Sequence, residues 1–182
     1  MELTNYEGND LLQVDAFLQG HTAIKAATVK ELLKTCNISF VLEGINRWQS
    51  TMICELKDSY VQQSQRYVTM DADGYTLPDL KEEDAQKARE LVGRAFALYE
   101  EMSQIKEEFK GRPKKEHYLH GIPVEDARYI LPLAVKTNLS VATTGDKLLD
   151  WFKMMNRPLD MQMFADVHAA LLQVLPETLG QW

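Results

Sequence analysis

Apolar residues gather along this chain in short blocks separated by polar stretches, and the period within each block predicts an element. ISFVLEGI, 38–45, is short and rich in β-branched residues, which predicts a strand. Just before it, TVKELLK predicts a helix with Thr28 as N-cap and Glu31 as its capping partner three positions on. Just after it, Asn46 stands ready to cap a helix running through Lys57, because Trp48, Met52, Ile53 and Leu56 lie about one turn apart. The polar strip that follows, from Ser59 to Arg66, reads as a turn between that helix and a strand in QRYVTM. DADG then signals another turn, with Gly74 available for positive φ.

Farther along, Ala88, Leu91, Val92, Ala95, Phe96, Tyr99, Met102, Ile105 and Phe109 recur at three and four, predicting one long amphipathic helix over 82–109. Its stripe serves as core or as a subunit interface. GRPKKEHYLHGIP, 111–123, has the glycines, prolines and charge of a loop. Pro123 opens a short helix in VEDARYIL, and Pro132 limits it. TNLSVATT is extended, Gly145 begins a helix through Asn156, and a last amphipathic helix covers 159–174, with Met163, Val167, Ala170, Leu171 and Val174 inward. Helices and a few strands mix without a βαβ rhythm, so the expected class is α+β, in a single domain over 1–182. The methionines of FKMMNRPLDMQMF read as adaptable core packing.

A net charge of -7 argues against a nucleic acid polymer as partner, since displacing counterions from many phosphates takes many cations. One phosphate is a smaller demand, met by one or two arginines. Cys36 and Cys54 are too few for a disulfide framework, which points to a reducing compartment. The N-terminal MELTNYEGND is acidic where a signal peptide is basic, and no apolar run reaches membrane length, so the expected location is cytoplasmic with no membrane partner.

Neither a P-loop nor a GxGxxG fingerprint is present. His117 and His120 supply two ligands where zinc needs three or four, so no metal site is expected. Ser64, Gln65 and Arg66 are more informative. A hydroxyl, a guanidinium and successive backbone N–H groups at a chain reversal suit a phosphate. Gln62 and Gln63 add amides that both donate and accept, as reading a base edge or a sugar requires. On spacing alone, a solvated turn and a ligand site both remain open.

SYVQQSQRYV, preceded by ISFVLEGINR and followed by GIPVEDARYILPLAVKTN, resembles the flavin-dependent thymidylate synthase (ThyX) family over roughly residues 38–162. The resemblance implies a ThyX-like fold, with a small mostly antiparallel sheet, the long amphipathic helix and a C-terminal helical part. It also implies a homotetramer with active sites built between subunits, and conversion of dUMP to dTMP using FAD, NADPH and methylenetetrahydrofolate. The signature residues Ser59, Ser64, Arg66 and Tyr67 keep their spacing. By resemblance, Ser64, Gln65 and Arg66 hold the phosphate or sugar of the nucleotide, Gln62 lies close by, and Arg128 matches a second nucleotide-binding arginine.

The flavin side of the pattern is degraded. Cys54, Glu55 and Leu56 stand where the family has Arg-His-Arg, and Thr144, Gly145, Asp146, Lys147 and Leu148 stand where it has N-A-R-x-L. Met155 replaces an arginine expected near the uracil, Leu159 replaces a flavin-side histidine, and Lys34 and Thr35 replace an upstream Glu-His. Gly20 and His21 are what remains of the Gly-His that precedes that pair. Losing one charged anchor typically costs a few kcal/mol of binding, and here at least four go together. The expectation is therefore a non-catalytic protein that binds or sequesters a pyrimidine or other nucleotide, or serves as partner subunit in a homotetramer or in a hetero-oligomer with a ThyX-like chain, with no cofactor. The alternative is an active flavin-dependent thymidylate synthase, or a related nucleotide C5-methyltransferase, carrying FAD with Arg47, Lys147, Lys153 or Arg157 as substitute cations.

Overall fold

The computed structural model describes residues 2–20, 26–66, 70, 72–108, 110–155 and 161–174. They form two compact units, one from the residues up to Gln62 and from Thr137 onward, the other over Gln63–Lys136. The class is α+β, as expected.

The first unit holds a four-stranded sheet in the order β1-β2-β4-β3, with β1 Glu2–Glu7, β2 Asn37–Asn46, β3 Ser59–Gln62 and β4 Lys136–Thr144. β1 pairs antiparallel with β2, and β3 with β4. β2 and β4 are antiparallel as well, since Gly145 N–H donates to Cys36 O where β2 starts and Gly44 N–H donates to Asn138 Oδ1 where it ends. Strand alternation sends Ile38, Phe40 and Leu42 of β2 and Leu139 and Val141 of β4 to one buried face, while Asn138, Ser140 and Ala142 stay exposed on the other. Against the buried face pack α1 Asn9–Gly20, α2 Ala26–Leu33, α3 Arg47–Cys54, α6 Gly145–Met155 and α7 Met161–Val174, through Leu11, Leu33, Ile53, Trp151 and Phe164. Trp151 is fully buried and meets Phe40 edge-on at 5.7 Å between centroids, an arrangement worth about 0.5–1.5 kcal/mol beyond the area it hides.

Asn46 caps α3 as its sequence predicts. Its Oδ1 accepts the Gln49 N–H at 2.8 Å, and Gln49 Oε1 accepts the Asn46 N–H at 3.0 Å. Gln49 is itself buried, and its Nε2 donates to Asp166 Oδ1 of α7 at 3.0 Å.

In the second unit, α4 Glu82–Met102 packs Val92, Phe96 and Tyr99 against Ala127, Leu131 and Val135. The four-residue α5 Val124–Ala127 and a 3-10 turn Arg128–Ile130 follow, with Pro123 in the N-cap place. No helix among the described residues is long and apolar enough to cross a membrane.

Several predicted elements differ from the structure. Thr28 lies inside α2 rather than capping it. α3 stops at Cys54, short of Lys57, which takes φ 58° and reverses the chain. Ser59–Gln62 is a strand, not part of a turn, and Gln65 and Arg66 lie in a turn where a strand was expected; Tyr67, Val68 and Thr69 fall outside the described residues. α4 ends at Met102, with Ser103 as C-cap giving both its N–H and its Oγ–H to Tyr99 O, after which Ile105 pairs with Tyr118. Leu91 is exposed, since facing Val92 and Phe96 inward turns its neighbour about 100° away. The positive φ values of the described glycines occur at Gly44, Gly111 and Gly121 rather than at Gly74. β1 and α1 carry no counterpart in the sequence reading. Leu159 lies outside the described residues, so the last helix is seen from Met161.

Candidate functional site

β3 leaves the sheet at Gln62, which is exposed. In the second unit the chain then turns over Ser64–Arg66, where Ser64 Oγ accepts the Arg66 N–H at 3.2 Å. Arg66 is exposed and has no side-chain partner among the described residues. Gln65 is buried, with Nε2 3.8 Å from Met70 Sδ, so its side chain turns inward. Arg128 belongs to the same unit. Its Nε donates to Glu125 O at 2.9 Å, its guanidinium stands 6.0 Å from the Tyr129 ring centroid, and its two terminal nitrogens have no hydrogen-bond partner among the described residues. No hydrogen bond joins Arg128 to Ser64, Gln65 or Arg66.

The positions that the family pattern assigns to flavin lie in the first unit, on two segments. Cys54 ends α3 half-buried, and burial pushes its thiol above the ordinary range. Glu55 is the exposed C-cap, and Leu56 packs its side chain on the core. On the second segment, Thr144 Oγ1 donates to Asp146 Oδ1 at 2.6 Å, which places a carboxylate in the first turn of α6, where the helix dipole favours it. Gly145 between them has no room for a side chain: a Cβ would come within 3.0 Å of Leu33 Cδ2 and 3.1 Å of Leu33 O. Met155 is buried, and Leu159 and Arg157 fall outside the described residues. Lys34 is exposed and pairs with Glu31 at 2.6 Å, while Thr35 Oγ1 donates to Leu32 O.

The two segments meet at Asp58. Its side chain is 1% exposed; Oδ2 accepts Trp151 Nε1–H at 3.1 Å, and Oδ1 lies 2.8 Å from Lys147 Nζ. This contact raises the Lys147 ammonium above its usual range. Tyr60 OH donates to Ile53 O at 2.9 Å and ties β3 back to α3; burial first, and the neighbouring Asp58 carboxylate second, raise that phenol strongly. Beside the cluster is a cavity of about 470 Å³ at one end of the sheet, between the β1–α1 junction, the start of β2, the start of β3 and the end of β4. Its charged lining is Glu7, Asp10 and Asp58 against Lys147, with Asn37, Ser39, Ser59, Thr143 and Thr144 as further polar groups. Sequence reading missed Asp58 altogether, because its partner Trp151 is 93 positions away and no local motif marks the pair. Among the described residues, no three His, Cys, Asp or Glu side chains stand together as a metal site.

A small antiparallel sheet with helices on one face and a serine–arginine turn after its last-placed strand are the setting in which the comparisons fall. The family model described as "Thymidylate synthase complementing protein" matches residues 18–167, and the chain belongs to that family. The flavin-dependent thymidylate synthase of Pyrococcus furiosus is 32% identical over 124 residues, covering 68% of this chain and 48% of that protein. That of Sulfurisphaera tokodaii is 27% identical over 142 residues, 77% of this chain and 47% of that protein. The chain thus spans about half the length of these relatives. Two crystal structures share the fold. ThyX from Helicobacter pylori, complexed with FAD and dUMP, gives a TM-score of 0.61 at 16% identity, over 100% of this chain and 97% of that one. The UMP/dUMP methylase PolB from Streptomyces cacaoi, bound with 5-Br dUMP, gives 0.62 at 18% identity, over 98% and 91%.

Proposed function

We propose that this chain is a pyrimidine-nucleotide-binding member of its family that does not run the flavin reaction alone. Ser64, the backbone of Gln65, Arg66 and Arg128 recognise a nucleotide of the dUMP kind, with Gln62 adjoining in sequence. The chain sequesters or senses that nucleotide, or acts as partner subunit in a homotetramer or beside a ThyX-like chain. Its two free cysteines accord with a cytoplasmic setting.

The observation that carries this reading is the chemistry at the two flavin segments. A flavin dinucleotide needs cationic donors at its phosphates and hydrogen-bond donors at its ring, whereas Cys54, Glu55, Leu56 and Asp146 supply a thiol, two carboxylates and a hydrocarbon. Lys147, a candidate substitute cation, is held by Asp58. The groups present do not fit the cofactor. Because a flavin performs the hydride chemistry while the protein binds and orients it, a chain that lacks those anchors supplies a nucleotide site without the redox step.

Calorimetric titration with dUMP tests the binding half, and saturable heat is the expected result. Absence of binding for dUMP, UMP and dTMP alike would remove it. Turnover in the presence of FAD, NADPH and methylenetetrahydrofolate would instead establish the alternative, an active synthase or C5-methyltransferase.

A further inference from the structure

The cluster around Asp58 supports more than the absence of a cofactor. Asp58 and Ser59 extend the first flavin segment, Thr144 and Lys147 belong to the second, and all four line the 470 Å³ cavity. A carboxylate as buried as Asp58 needs a compensating charge and donors on both oxygens. From one helix, Trp151 Nε1–H donates to Oδ2 at 3.1 Å, and Lys147 sets its ammonium 2.8 Å from Oδ1 as the compensating charge, although Oδ1 accepts no hydrogen bond of good geometry. The pair therefore fastens the start of β3 to α6 from within the chain, and it sets a carboxylate's charge against the cation of this cavity. What remains facing the cavity is the charge of Glu7 and Asp10, which repels phosphates.

We propose that Asp58 and Lys147 are specificity-determining residues of this cavity: their ion pair excludes anionic dinucleotides from it. This rests on the reading that the chain works without flavin, and it adds the device that keeps the cofactor out. Lys147 sits at an unspecified place of the N-A-R-x-L pattern, so neither partner follows from the resemblance. Trp151 acts as the positioning residue that keeps the Asp58 carboxylate turned toward Lys147.

The test uses the full chain and FAD, followed by quenching of flavin fluorescence. Asp58→Asn preserves the shape and one donor–acceptor contact while it frees the Lys147 ammonium, so FAD affinity is expected to rise about tenfold. The double variant Asp58→Asn with Lys147→Met should lose that gain. A purely structural pair would lower the Tm of the single variant without moving its affinity for an anion. A folded Asp58→Asn without the gain, or a gain that persists in the double variant, overturns the proposal. Should Asp58→Asn fail to fold, amine acylation of the unaltered protein decides: Lys147 is expected to react several-fold more slowly than Lys81, which is exposed and has no ion-pair partner among the described residues, and equal rates overturn the pairing on which everything rests. Titration of dUMP on the same samples separates the two readings. Loss of nucleotide binding in the unaltered chain removes the proposed function and leaves the exclusion test standing.

Discussion

The hydroxyl of Ser64 accepts the backbone N–H of Arg66 at 3.2 Å in the turn after β3, and the Arg66 guanidinium has no partner among the described residues. The proposed nucleotide site uses this charged donor as a ligand contact. Arg66→Ala should weaken dUMP binding about 10- to 100-fold, the range of a lost charge-assisted hydrogen bond, and shift Tm by less than about 1 °C. Calorimetry and thermal unfolding on the same variant measure both. A large Tm loss with unchanged affinity would make the turn a structural feature only.

Trp151 offers a test within the first unit. Trp151→Phe keeps most of the ring that packs on Phe40 but removes the N–H that Asp58 accepts, leaving a buried carboxylate oxygen without its donor. The expected loss is about 1–3 kcal/mol in urea unfolding. Trp151→Ala, which also opens a cavity, should cost more, about 3–5 kcal/mol. Equal stabilities for Trp151→Phe and the unaltered chain would mean that the Asp58 contact contributes nothing.

Gly145 begins α6, and alanine there should improve helix propensity, yet a Cβ at that place meets the Leu33 carbonyl oxygen at 3.1 Å and cannot push backbone aside. Gly145→Ala is expected to destabilise by about 1–3 kcal/mol, as overpacking does elsewhere. A stabilised variant would show that α2 and α6 separate easily.

Alkaline pH should weaken the fold. Burial raises the Cys36 and Cys54 thiols from 9.0 and the Tyr60 and Tyr99 phenols from 10.0, while Asp58 raises Lys147 from 10.5. Each group holds its proton more tightly folded than unfolded. The stabilisation is therefore complete below the unfolded values and is lost as pH rises through the folded ones. Tm should fall steadily from about pH 9 upward. A flat or rising Tm between about pH 9 and 10.5 would contradict the burial of these groups.

Much of the fold is legible in the sequence where burial imposes a period. β2, β4 and α6 each alternate or repeat against one core face, and Asn46 with Gln49 is a capping pair visible at three-residue spacing. β3 was not legible as a strand, because of its four residues Tyr60 alone is partly buried, Val61 is exposed, and Ser59 and Gln62 read as loop polarity. Pairing with β4, through Ser59 to Ala142 and Gln62 to Leu139, makes it a strand, and that partner is far along the chain. β1 escaped for the same reason: ELTNYE has little apolar alternation, and its register with β2 supplies the structure.

The candidate site divides similarly. Ser64, Gln65 and Arg66 are contiguous, so a chain reversal near them could be anticipated, although the strand expected from Gln65 onward was a turn instead and the inward side chain of Gln65 carried no local signal. Lys147 looked like a spare cation in sequence because only the folded chain brings it to Asp58. Local spacing reveals a phosphate-sized feature; it does not reveal which charges are already spent on each other.

The account stands most directly on whether this chain holds a flavin. The decisive measurement is the visible absorption spectrum of the purified protein, taken before and after incubation with excess FAD and gel filtration. A colourless protein in both cases is the predicted result, with Cys54, Glu55, Leu56 and Asp146 offering the cofactor no cation. Flavin bands retained near one per chain would contradict it and would make the synthase reaction the function to pursue.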